Sequence, residues 1–336
     1  MAKLRVALLA GGRSSEHEIS LASARSVLEA LDPERYDVVE IEIGRDGRWA
    51  LVPGTAVTPA ETLPVPYSGG PLERLGRVDV VLPILHGPFG EDGTVQGLLE
   101  LAGIPYAGAG VAASALAMDK DLFKKVMRDS GIPVARHHTI RLGDPVENPF
   151  GYPVFVKPAR LGSSVGISKV HDESELEPAV ELARRHDEKV LVEELLTGME
   201  VECGVLGNRV PAPVASLPGR IDTREHEWYD YASKYDDDGM ELVIPPELPQ
   251  PTVELVQHRA VDAFVASECE GMARVDFFVR EDGEVVVNEL NTIPGFTATS
   301  VYAKLFEASG IPYAELLDRL VALALERHER RSKLEY

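Results

Sequence analysis

Leu4-Arg5-Val6-Ala7-Leu8-Leu9-Ala10-Gly11-Gly12-Arg13 decides the architecture of this chain. An apolar run without alternation reads as a strand buried on both faces, and the paired glycines that end it read as a turn. Beyond the turn, apolar side chains recur at helical spacing over residues 20–31, and 36–43 and 78–85 read as the next core strands. Strand, glycine turn, helix and strand form a βαβ pattern. Such a pattern implies a parallel sheet whose functional loops lie at the carboxyl ends of its strands. Those loops are residues 11–20 and 86–94, and the Gly- and Pro-rich stretch 53–72 reads as a surface loop.

Two further α/β units follow. The first has a helix over 118–131, strands at 152–157 and 190–194 flanking a helix at 173–186, and a Gly/Ser-rich loop at 158–166. The second has strands at 201–206, 272–280 and 284–290 and an amphipathic helix from 313 to about 330. Neither an internal repeat nor a low-complexity tract is visible.

Composition narrows the function. The chain has 336 residues, 44% hydrophobic and 26% charged, the balance of an ordinary globular protein of two or three domains. Its 34 Lys and Arg against 55 Asp and Glu leave a net charge of −21, which repels polyphosphate and anionic lipid. Nucleic acid and membrane are therefore not expected partners, and an anionic substrate has to be met by a local cluster of Lys and Arg. Residues 6–10 are too short an apolar run for a secretion signal, and no run approaches a membrane span of about 20 residues. Cys203 and Cys269 could form at most one bridge, so a reducing cytoplasm is expected.

Three constellations carry chemistry. Lys157 precedes Gly162, Ser163, Ser164 and Gly166, a loop whose N–H groups and hydroxyls suit phosphate oxygens. Its lysine stands before the glycines, unlike the P-loop, and a plain flexible turn is the alternative. Asp276 lies on one strand, with Glu289 and Asn291 on the next. Alternate residues share a face, so Glu289 and Asn291 point the same way and Asp276 can oppose them. Two carboxylates and an amide oxygen are hard ligands suited to magnesium holding nucleotide phosphates, and their apolar neighbours argue against a merely solvated hairpin. Last, Arg274 projects to the same face, and the turn Asn291-Thr292-Ile293-Pro294-Gly295-Phe296-Thr297 offers a backbone N–H, a pairing able to stabilise an oxyanion; a structural turn is the alternative.

In this order, the three sets resemble the ATP-grasp superfamily, and the whole chain resembles the D-alanyl-D-alanine ligases. The most specific segments are Gly11 through Ser20, His86-Gly87-Pro88-Phe89-Gly90-Glu91-Asp92-Gly93-Thr94, Met118-Asp119-Lys120, Val156-Lys157-Pro158 with the loop after it, Tyr229-Asp230-Tyr231 with Lys234-Tyr235, and Asn288-Glu289-Leu290-Asn291-Thr292. The resemblance implies an α/β fold with a Rossmann-like substrate domain (1–115), a central lobe (116–200) and a C-terminal lobe bearing the metal site (201–336). ATP is held between the last two.

By the same resemblance, Lys120, Lys157 and Lys234 contact phosphates, Ser163 and Ser164 lie in the loop that covers them, Glu193, Glu194, Leu195 and Leu196 hold adenine, and Glu200 takes the ribose. Asp276, Glu289 and Asn291 bind two Mg2+ ions, replaceable by Mn2+. Glu16, assisted by His86, receives the first D-alanine; Arg274 and Gly295 form the oxyanion site; Ser300 and Val301 meet the second substrate; and Tyr235 closes the site through Ser163 and Glu16. The implied reaction joins two D-alanines through a D-alanyl phosphate, supplying peptidoglycan synthesis in the cytoplasm, in a homodimer, with a role for a monovalent cation left open. Because acyl phosphates hydrolyse, residues 161–166 and 221–239 are expected to be lids that order with ligands.

Val301 and Ala303 depart from commoner residues of the family, which leaves D-lactate and D-serine as rival second substrates. A nucleotide-binding regulator without turnover and a nicotinamide dehydrogenase are rivals of other classes; the first is disfavoured by the complete polar set, the second by the lack of a full Gly-x-Gly-x-x-Gly. His137, His138, His171, His186 and His258 are expected on the surface, the Lys124-Lys125 pair is expected to be exposed, and Asp236-Asp237-Asp238 reads as a solvated loop.

Overall fold

The computed structural model describes residues 2–52, 77–222 and 241–335. The expected surface loop at 53–72, the aspartate run 236–238 and nearly all of the second lid lie outside those residues.

The first sheet contains β1 (Leu4–Gly11), β2 (Tyr36–Ile43), β3 (Trp49–Leu51) and β4 (Val80–Pro83) in the order β3-β2-β1-β4. β1 runs parallel to β2 and β4, as a βαβ unit requires. Alternate β1 residues serve opposite cores: Val6 and Leu8 pack on one face, Ala7 and Leu9 on the other. Burial on both faces explains the unbroken apolar run. Helix α1 (His17–Ala30) begins about a turn earlier than the expected 20–31, because the polar start is held inside the fold. Ser20 Oγ accepts from Gly11 N at 2.8 Å, and the His17 ring meets the Gly12 carbonyl at 2.8 Å. Helix α2 (Thr94–Leu101) follows β4.

The expected helix 118–131 is two helices, α3 (Val111–Met118) and α4 (Lys120–Asp129). Asp119 breaks them with ψ 94° and caps α4, its side chain accepting from Leu122 N. The central sheet, β5 (His137–Ile140), β6 (Val154–Pro158), β7 (Ser168–Val170) and β8 (Val190–Glu194), is antiparallel in the order β5-β8-β6-β7 and is covered by α5 (Glu173–Arg184).

The third sheet has the path β12-β11-β9-β13-β14, from β9 (Met199–Gly207), β11 (Gly219–Asp222), β12 (Glu241–Val243), β13 (Gly271–Val279) and β14 (Val285–Asn291), with β10 (Val214–Ala215) on β9. Three helices complete the chain: α6 (Gln250–Ala266), α7 (Val301–Ala308) and α8 (Tyr313–Arg331).

The cores cut across the expected segments 1–115, 116–200 and 201–336. Ala113, Ala117, Phe123 and Met127 of α3 and α4 share a core with Val201 and Val275 of the third sheet and Phe264 of α6. Leu316, Leu317 and Leu320 of α8 return to pack against Val6 and Leu8 of β1. This crossing fixes the third sheet against the first, so loops far apart in sequence converge on one cleft.

Candidate active site

The cleft lies between the central and third sheets. Lys157 and Glu193 line it from the ends of β6 and β8, followed by Glu194, Leu195 and Leu196; Glu200, Asp276 and Glu289 line it from the third sheet, and Ser163 and Ser164 from the loop between β6 and β7. Lys157 Nζ meets Glu193 Oε1 at 2.6 Å. The other oxygen of Glu193 is taken by Lys124 at 2.9 Å.

Lys124 is therefore not exposed as its helical spacing beside Lys125 suggested: its side chain is 0% exposed, against 50% for Lys125. Burial alone raises the Glu193 carboxyl, but the ammonium groups of Lys124 and Lys157 outweigh it and hold the group at about 2. Burial lowers Lys124, and Glu193 opposes that shift. His137 also departs from the surface expectation. Its side chain is 2% exposed, with Nε2 3.0 Å from Asp121 Oδ1, whereas His171, His186 and His258 are exposed.

The acidic set converges on one face. Register places Asp276 opposite Glu289 and Arg274 opposite Asn291, with a bulge between Asp276 and Phe277. Arg274 grips both Asp276 oxygens at 2.7 Å and reaches Glu202 Oε2 at 2.9 Å. Asn291 Nδ2 donates to Asp276 at 3.0 Å. Across the cleft, Lys120 Nζ lies 3.3 Å from Glu289 Oε2 and donates to the Leu161 carbonyl at 2.9 Å. Among the described residues no group of three or more His, Cys, Asp or Glu side chains forms a cage. Two carboxylates and an amide oxygen are instead a partial shell of hard donors, which suits Mg2+ because it keeps water and phosphate oxygens as its other ligands.

The loop 161–166 is seated over this face. Ser163 and Ser164 both have left-handed backbones, φ 53° and 56°, uncommon for residues with a Cβ. Ser163 Oγ donates to Glu16 Oε1 at 2.5 Å, across from the first sheet. Beside Glu16, Gly87 has φ 73°, and a Cβ there would stand 3.0 Å from Glu16 Oε2.

His86 is buried, with Nδ1 3.0 Å from the Ile293 carbonyl and Nε2 3.5 Å from Ser23 Oγ. Burial lowers its pKa and favours the neutral ring. Glu91, quoted within its segment but given no role, is the residue that sequence reasoning missed here. Its oxygens accept from Gly87 N at 2.7 Å and Ile293 N at 3.0 Å, and burial, then the nearby Glu16 charge, push it up to about 8. Its position among glycines after a core strand was the available signal. The N–H and the carbonyl of Ile293 are thus each held by a side chain of the 86–94 loop.

Ser300 caps the turn that contains Gly295. Its Oγ accepts from Thr297 N at 3.0 Å, and Val301 opens α7. Lys234 and Tyr235 lie outside the described residues. Cys203 and Cys269 are free, buried thiols.

Family models for the D-ala D-ala ligase N-terminus and C-terminus match residues 5–109 and 126–322. The chain belongs to the D-alanine–D-alanine ligase family. It is 47% identical to the D-alanine–D-alanine ligase of Solibacter usitatus over 98% of both chains, and 46% identical to D-alanine–D-alanine ligase A of Mesorhizobium japonicum over 98% of this chain and 99% of the relative. Among solved structures, the Coxiella burnetii D-alanine-D-alanine ligase superposes with a TM-score of 0.87 at 39% identity, covering 99% of this chain and 97% of that one. The VanG D-Ala:D-Ser ligase of Enterococcus faecalis superposes with a TM-score of 0.84 at 36% identity, covering 96% and 100%. The fold of this ligase-family chain is accordingly that of the ATP-grasp enzymes, with the cleft between two antiparallel sheets and the first α/β unit touching its covering loop through Glu16.

Proposed function

We propose that the protein is an ADP-forming ligase that joins two D-alanines at the expense of ATP, through a D-alanyl phosphate, to supply peptidoglycan precursors. The observation that carries this reading is the convergence in one cleft of Lys157, Lys120, the Asp276–Glu289–Asn291 face and the Ser163–Glu16 contact.

ATP lies between the central and third sheets, adenine against Glu193 to Leu196, ribose at Glu200, phosphates at Lys120, Lys157, Ser163, Ser164 and Lys234. Asp276, Glu289 and Asn291 hold two Mg2+ ions, for which Mn2+ substitutes. When bound, these ions offset the negative charge of the phosphoryl oxygens. Glu16 takes the ammonium of the first D-alanine, whose carboxylate oxygen attacks the γ-phosphorus as the bond to ADP breaks. Lys120 and Lys157 stabilise the charge on the transferring group.

The amine of the second D-alanine, its carboxylate at Ser300 beside Val301, then attacks the acyl carbon. Arg274 and the Gly295 N–H face the oxyanion, and the amide forms as phosphate leaves. Asp276 and Glu202 hold the guanidinium of Arg274 in place, so little reorganisation is needed when that charge appears. Ser163 and Tyr235, together with Glu16, close the cover that keeps water from the acyl phosphate.

The enzyme acts in the cytoplasm, as a homodimer formed through the N-terminal domain, where Leu101 is 90% exposed. No helix among the described residues is long and apolar enough to cross a membrane. D-Alanine is the favoured second substrate. Coupled ADP release with D-alanine, D-serine or D-lactate as second substrate, with and without potassium, tests the reading: robust release with D-alanine supports it, and no release with any of the three overturns it.

A further inference from the structure

Lys124 lies one turn beyond Lys120 on α4, so the two ammonium groups share a helix face. Lys120 reaches the rim of the cleft, at Glu289 and the Leu161 carbonyl. Lys124 is enclosed beneath it, with Nζ 2.9 Å from Glu193 Oε2 and 3.1 Å from the Asn288 carbonyl. Glu193 ends β8 of the central sheet; Asn288 belongs to β14 of the third and directly precedes Glu289. A single buried ammonium therefore touches the strand of each wall. Its remaining partner relationship is indirect: Glu193 is shared with Lys157, 2.6 Å away on the other oxygen.

A buried ammonium is a poor device for stability alone, since apolar residues of similar volume often do as well in such places. We propose that Lys124 is a positioning residue for the nucleotide: by holding one Glu193 oxygen and the Asn288 carbonyl, it sets the spacing of the two cleft walls and keeps Lys157 from becoming the sole counter-ion of a buried carboxylate. Without it, Glu193 draws Lys157 away from the phosphates, and the backbone beside Glu289 loses its donor. The consequence falls on ATP. Glu16 and Ser300, which the proposed reaction uses for the amino acids, stand on other elements, at the starts of α1 and α7.

This inference rests on the ATP-dependent reading above. Initial rates of ADP release are measured for wild type and Lys124→Met, varying ATP and D-alanine separately, beside thermal melts. An inactive wild type defeats the ligase reading rather than this one. With wild type active, Lys124→Met is expected to melt cooperatively and to raise KM for ATP by about tenfold or more, leaving KM for D-alanine within about twofold, with partial recovery in Lys124→Arg. An unchanged KM for ATP, or an equal rise in both constants, overturns the assignment. Should Lys124→Met not melt cooperatively, Lys124→Gln is read for the same split under the same criteria. Failure of both replacements to fold makes Lys124 a stability residue and overturns the assignment as well.

Discussion

Ser163 Oγ donates to Glu16 Oε1 at 2.5 Å, joining the loop after β6 to the start of α1 across 147 positions of sequence. The contact ties the cover of the nucleotide cleft to the residue proposed to receive the first amino acid. In the proposed reaction a loop seated on that residue would shield both substrates at once, which suits an intermediate that water would destroy.

Replacing that hydroxyl tests the coupling. A hydrogen bond to a charged group contributes roughly 1.5–3 kcal/mol, so Ser163→Ala should lower kcat/KM for D-alanine by about 10- to 100-fold. Melting should be nearly unchanged, because the loop adds little to any core. Initial-rate kinetics with circular-dichroism melts read both effects.

Glu289→Gln keeps shape and removes a charge. If this carboxylate helps to hold Mg2+, ADP formation should fall by at least about 100-fold while the protein still melts cooperatively. Robust turnover in the variant would remove the metal assignment.

Glu91 predicts a pH signature in stability. Its folded value is raised from 4.5 to about 8, so the folded state holds this proton more tightly than the unfolded chain does. The stability it contributes is complete below the unfolded value and is lost as pH rises through about 8. Glu91→Gln should flatten the decline of Tm between those two limits. A wild-type slope retained in the variant would show that another group is responsible.

Arg274 grips Asp276 at both oxygens and faces Glu202. Arg274→Ala should slow dipeptide formation by about 100- to 1000-fold, the usual cost of an oxyanion donor. Product formation followed by chromatography gives the rate directly; a loss below about tenfold would place the oxyanion elsewhere.

Gly271 has φ 82°, and a Cβ there would meet Gly108 N at 2.9 Å, backbone against backbone. Gly271→Ala should destabilise by more than about 1 kcal/mol, since neither the conformation nor the close approach admits a side chain without strain. Denaturant unfolding measures it.

Much of the framework was legible in the chain. The bounds of β2 and β8 agree with the runs 36–43 and 190–194, and β1 extends its apolar run by one residue. The period-2 spacing of Glu289 and Asn291 also put them on one face opposite Asp276, as the register shows. Errors fell where local pattern and environment part. α1 starts early because Ser20 and His17 find backbone partners at the ends of β1 and β4, and helix 118–131 divides because Asp119 is capable of capping.

Local hydrophobic period and turn chemistry, both properties of neighbouring residues, determined the strands, the order of the α/β units and the residue types available for phosphate and metal chemistry. Only the tertiary structure decided that Lys124 is enclosed rather than solvated, that Glu193 divides its two oxygens between two lysines, and that the Ile293 peptide is held by His86 and Glu91. Each of these depends on a charge or a polar backbone group meeting a partner tens to hundreds of positions away. The cost of burying such a group unpaired is set by its surroundings and not by its neighbours in sequence.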